Sequence, residues 1–187
     1  MRPWLLAALI VPLACWAHPD NGPFTARAGV LHPIALDHLL ALIAVGWIAS
    51  RANGREGLLL PSLFVGAMAL GAGLGLPFSQ AQNIEYGIGF SLILMGAVVV
   101  FASKIRTLGL LLAPAGLCHG FAHGVGMPVG SSPLAYLAGM VATSIALLVA
   151  GTTGQHLASR IQIPVLGRFA LSGAMLAAGT FKLLGLA

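Results

Sequence analysis

Residues 30–46, VLHPIALDHLLALIAVG, constrain this chain more than any other stretch. The run is apolar enough for a membrane interior, yet it carries His32, Asp37 and His38. An aspartate at the centre of a membrane helix costs roughly 2.5–3.5 kcal/mol on insertion scales, and such groups face a protein interior or a wet cavity. Whatever this chain folds into must therefore supply partners for three ionisable groups in an apolar setting.

The rest of the sequence agrees that the setting is a membrane. Hydrophobic residues make up 58% of the 187 positions and charged ones 7%, against about a quarter charged in a soluble domain. Apolar runs of about 20 residues recur from end to end and are continuous rather than alternating, which favours helices over a β-barrel. The expected class is an all-α integral membrane protein, in contact with lipid on most sides. The net charge of +5 comes without any basic run or phosphate-binding glycine loop. Nucleic-acid binding and ATP-driven pumping are not expected.

Residues 1–17, MRPWLLAALIVPLACWA, have the charged start, short apolar core and small-x-small end of a cleavable signal peptide. Cleavage after Ala17 would leave residues 18–187 as one membrane domain. His18 would then carry a free amine beside its imidazole, a chelating pair, although a simple exposed terminus is the plainer reading. Six spans are expected near 30–49, 58–76, 85–102, 108–125, 134–152 and 164–185, forming a six-helix transmembrane bundle. With an extracytoplasmic start, Arg51, Arg55, Lys104, Arg106, Arg160 and Arg168 fall on the cytoplasmic side and only Arg27 and Lys182 on the other. This is a positive-inside pattern, and it puts both mature termini outside the cytoplasm.

That topology assigns a depth to each polar group. His32, Asp37 and His38 lie in the outer half of the first span and Glu85 at the outer mouth of the third. His119 and His123 lie in the outer half of the fourth, where their i, i+4 spacing puts them on one helix face. Each has a plain alternative: Asp37 and the histidines as interhelical glue, Glu85 as a charge favouring a helix N-terminus. Their joint placement on three spans is the informative feature. Imidazole with carboxylate suits a borderline divalent cation, and moderate N/O ligation suits an ion that must leave again. The candidate metal ligands are therefore His32, Asp37, His38, Glu85, His119 and His123. Cys118 is expected to be a small packing residue. Pro33 should interrupt the helix near His32. Small residues at four-residue spacing, including Gly71 with Gly75 and Gly173 with Ala177, mark faces for close helix packing. The first and fourth spans each begin a three-helix half, the halves having opposite orientation.

His32-Pro33, Asp37-His38 and the following LLALIAVG resemble the first-helix signature of the HupE/UreJ family of nickel permeases. His119-Gly120-Phe121-Ala122-His123-Gly124 resembles its fourth-helix signature, and Glu85 with Gly87-Ile88 and Ser91 its third-helix glutamate. The resemblance covers essentially the whole chain. It implies secondary uptake of Ni²⁺, with Co²⁺ as the second candidate, across the bacterial inner membrane, serving hydrogenase or urease maturation. The metal would be a transported substrate, with no permanently bound cofactor and no enzymatic activity. Two departures stand out. The spacing here is His-x4-Asp-His, typical of the separate NiCoT permeases, rather than His-x5-Asp-His. Gly126 stands where the fourth-helix motif usually has glutamate. The alternatives are an intramembrane metal-dependent enzyme, disfavoured because His119 is followed by Gly120 rather than the glutamate of H-E-x-x-H, and a non-transporting accessory subunit.

Overall fold

A computed structural model describes residues 25–52, 55–78, 83–101 and 105–186. The signal segment 1–17, His18 and Lys104 lie outside these described residues. Within them the chain is helical and contains no strand: α1 (Thr25–Leu31), a 3-10 turn (His32–Ile34), α2 (Leu36–Ala49), α3 (Arg55–Gly75), α4 (Ile84–Phe101), α5 (Ile105–Val125), α6 (Pro133–Arg160) and α7 (Pro164–Leu183).

The first expected span is not one continuous helix. Pro33 lacks an N–H and its ring obstructs the preceding turn, so the chain tightens into the 3-10 turn. Ala35 then leaves helical geometry at φ −53°, ψ 139°. The axis bends by 76° between the segment Arg27–Ile34 and α2. At 1.5 Å per residue, the 14 residues of α2 span only about 21 Å, short of the ~30 Å hydrocarbon core. The bent pair together is long and apolar enough for one crossing, and α3, α4 and α6 each qualify alone. Helices α5 and α7 are 21 and 20 residues long. The first carries His119 and His123 and the second Arg168 and Lys182.

Burial is arranged for a lipid surround. Leu58, Leu70, Leu74, Phe90, Val149 and Phe169 are exposed, whereas Asp37, His38, Ser91, His119, His123, Ser144 and Ser172 are buried. So many exposed large apolar side chains around a buried polar set suit a lipid surround better than water. The core itself is apolar, with Phe64, Met68, Leu92, Met95, Leu112, Met140 and Met175 fully buried.

The helices associate chiefly as three pairs: α1 and α2 with α6, α3 with α5, and α4 with α7. Small residues bring the backbones together. A Cβ on Gly120 would lie 1.9 Å from the Met68 carbonyl oxygen, and one on Gly46 would lie 2.1 Å from that of Leu148. Side-chain hydroxyls add cross-links, with Thr143 donating to the Val30 carbonyl, Thr152 to Gly46 and Ser172 to Gly96. Exchanging α2, α3 and α4 for α5, α6 and α7 leaves the three main pairs unchanged, so the two three-helix halves make equivalent main pairings. Gly71 and Gly75 pack against α5 as their spacing predicts. Gly173 and Ala177 do not pack. They are exposed, and α7 instead presents Ser172, Met175 and Gly179 to α4.

Candidate metal site

The break at Ala35 positions the first part of the site. It starts a new helix at Leu36, so Asp37 sits in a first turn, where free N–H groups and the helix dipole favour a carboxylate. It also carries His32 on one side of the bend and His38 on the other. From the opposite direction, α5 presents His119 and His123 on one face, and its neighbouring Gly120 and Gly124 seat that helix tightly on α3.

The rings meet between α2 and α5. The His32 and His123 ring centroids are 4.4 Å apart, His38 and His123 4.3 Å, and His38 and His119 4.8 Å. One nitrogen from each of His32, His38 and His123 lies within 4.8 Å of the other two. Imidazole nitrogens about 2.1 Å from a tetrahedral ion sit roughly 3.4 Å apart, so a small inward rotation of the rings would bring all three onto one cation.

The hydrogen bonds assign the tautomers of two rings. Asp37 Oδ1 lies 2.7 Å from His38 Nδ1 and also accepts the His38 backbone N–H at 2.8 Å. This puts the proton on Nδ1 and leaves the Nε2 lone pair available. Ser91 donates its hydroxyl to the Ile88 carbonyl, and its oxygen lies 3.0 Å from His119 Nε2. That oxygen therefore accepts from Nε2–H, leaving the His119 Nδ1 lone pair. His38 Nε2, His119 Nδ1 and both nitrogens of His123 are buried with no protein partner. A buried polar atom left unsatisfied costs about 1–3 kcal/mol. One nitrogen of a neutral His123 carries the proton, so three of the four offer lone pairs, a set that suits an electrophilic guest. Tyr136 completes the wall, its hydroxyl 3.1 Å from His32 Nδ1.

The six candidate ligands thus divide. His32, His38 and His123 converge and His119 adjoins them. Asp37 stands behind His38 rather than among the converging nitrogens, in the arrangement by which carboxylates orient ligating imidazoles. Glu85 is half exposed in the first turn of α4 and bonds Lys182. Lys182 also lies 3.0 Å from Asp37 Oδ2. Sequence reasoning treats Lys182 only as a topological marker and overlooks Tyr136 altogether. The one available signal was a cation in the last turn of a helix whose other charged residue is Arg168. Gly126 also has a structural account: a Cβ there would lie 2.9 Å from His32 Cε1. The ring of His32 fills the space that a side chain at 126 would enter, so the two departures in the sequence pattern occur at one contact.

The family described as HupE / UreJ protein matches residues 6–183. The chain is 36% identical over 149 residues to "Protein HupE" of Rhizobium leguminosarum bv. viciae, covering 78% of each chain. No solved structure matches.

Proposed function

The chain belongs to the HupE/UreJ family, and from that membership we propose that it carries out secondary uptake of Ni²⁺ across the bacterial inner membrane, with Co²⁺ as the second candidate. The observation that carries the proposal is the group of buried, partnerless imidazole nitrogens flanked by an oriented carboxylate. Neutral imidazole suits nickel and cobalt, and the cluster has no thiolate to trap them. The chemistry fits a cargo ion held briefly.

In this reading a signal peptide ending at Ala17 and six crossings place both termini in the periplasm, with the site in the outer half of the bundle. A hydrated ion arrives near Glu85 and exchanges water for His38 Nε2, His123 and His32, with His119 Nδ1 adjoining. Asp37 holds His38 in the ligating tautomer and offsets the ion's charge. The membrane potential favours entry by roughly 2.3 kcal/mol per charge per 100 mV, so direction needs no nucleotide. The two inverted halves offer a way to open the site alternately to each side. The delivered metal would support hydrogenase or urease maturation. The protein acts as a transporter, not as an enzyme, and holds no permanent cofactor.

The test is metal accumulation in cells expressing the chain, with Ni, Co, Zn and Mn in competition. Expression should raise Ni uptake, and Co should compete better than Mn. No increase in uptake of any of the four metals would defeat the reading.

A further inference from the structure

Lys182 has no part in the uptake chemistry above, yet it occupies the centre of the charged side of the site. Its ammonium bridges Asp37 Oδ2, at 3.0 Å, and Glu85. The Lys182 side chain is 14% exposed and that of Asp37 10%, whereas Glu85 is 50% exposed. Three helices converge here: α2 supplies Asp37, α4 supplies Glu85 and α7 supplies Lys182. Asp37 gives its other oxygen to His38. A continuous chain of contacts therefore runs from the half-exposed Glu85 through Lys182 and Asp37 to His38 and the imidazole cluster.

The charge balance is specific. With neutral imidazoles, Asp37, Glu85 and Lys182 sum to −1. A divalent ion brings the assembly to +1. Without the lysine the acids alone would sum to −2 and be neutralised by the same ion. An isolated carboxylate at membrane depth is costly, and Lys182 removes that cost while the histidines are empty. Once a cation enters, the same ammonium repels it.

We propose that Lys182 is a tethered counter-ion of the metal site: it offsets one of the two negative charges of Asp37 and Glu85 in the metal-free protein and weakens cation binding enough for release. Its role is positioning and electrostatic tuning, exerted through Asp37 rather than by contact with the ion. Transit demands this compromise, because a site that binds too tightly does not conduct. A lysine that only stapled α7 to α2 and α4 would, when removed, lower affinity and folding together. A tethered counter-ion predicts the opposite sign for affinity.

The inference rests on the metal-site reading, and the experiment separates the two. Equilibrium Ni²⁺ binding is measured on the purified full chain in detergent, alongside Ni²⁺ uptake kinetics in cells. Lys182→Met should bind Ni²⁺ at least about tenfold more tightly. A unit charge acts on a divalent ion across roughly 10 Å even at an effective dielectric of about 20. Uptake by the same variant should show a lower KM and a lower maximal rate. Lys182→Arg, which keeps the charge, should restore both toward the original values. If Lys182→Met does not fold, Lys182→Met/Glu85→Gln takes its place and should bind more tightly than Glu85→Gln alone. Unchanged or weaker binding in a folded Lys182→Met overturns the inference while leaving the metal site standing. Absence of any Ni²⁺ binding by the unaltered chain overturns both.

Discussion

Two polar regions lie side by side in this bundle and are finished differently. In the cluster between α2 and α5, His38 Nε2, His119 Nδ1 and both His123 nitrogens end without a protein partner. In the neighbouring clamp, Asp37, Lys182 and Glu85 satisfy one another. A membrane interior penalises loose ends in both places, so the contrast is informative. The clamp is complete in itself. The imidazole cluster leaves lone pairs that an electrophile would complete. Asp37 belongs to both, one oxygen turned to His38 and the other to Lys182, and it transmits the charge of one region to the lone pairs of the other.

The comparison breaks most severely if the imidazoles are removed. His38→Ala or His123→Ala should lower Ni²⁺ affinity by at least about 100-fold, more than the loss of an outer-sphere partner costs, and should reduce cellular accumulation to background. Near-normal accumulation in either variant would mean that the unpaired nitrogens serve packing alone. Asp37→Asn keeps the shape but removes the charge and frees the tautomer of His38. Affinity should fall about 10–100-fold, measured by the same titration, and an unchanged value would detach the clamp from the cluster.

Acidification tests the cluster without mutation. A ligating imidazole must be neutral. Protons therefore compete with the metal for the same ring nitrogens. Uptake should fall as the external pH is lowered, and a profile that stays flat throughout acidification would argue against imidazole ligation. The smallest effects sharpen the boundary of the cluster. Gly126→Ala pushes on the His32 ring, and Ser91→Ala releases the His119 tautomer. Each should raise the KM for Ni²⁺ roughly 2- to 10-fold, the scale of a distorted rotamer or a lost neutral hydrogen bond. A larger effect from Ser91→Ala than from Asp37→Asn would reverse the ranking of the two His partners.

Much of the site was legible in the chain because it is written as local spacing. His119 and His123 are one helical turn apart, so their shared face follows from helix geometry. Asp37 with Ala41 and Ala44 announces a buried face, and all three are buried. Pro33 announces an interruption, and one occurs. The family follows from these same motifs. Other features were not legible because they depend on distant pairings. Gly173 and Gly179 look equally suited to close packing, but only the rotation of α7 about its axis determines that Gly179 meets α4. Lys182 looks like one more flanking charge until α7 is laid beside α2 and α4, 97 positions from Glu85 in the chain. The division of Asp37 from the converging nitrogens turns on where two rings point, which spacing does not specify.

An apolar helical chain and the local histidine faces could be read from residue order, because periodicity and hydropathy act over one or two turns. The tertiary structure alone decided which nitrogens lose their partners, that Asp37 orients His38 while bonded to Lys182, and that Gly126 makes room for His32. Those outcomes depend on how closely glycine-lined helices approach and how each is rotated. That is settled only when the three helix pairs pack together.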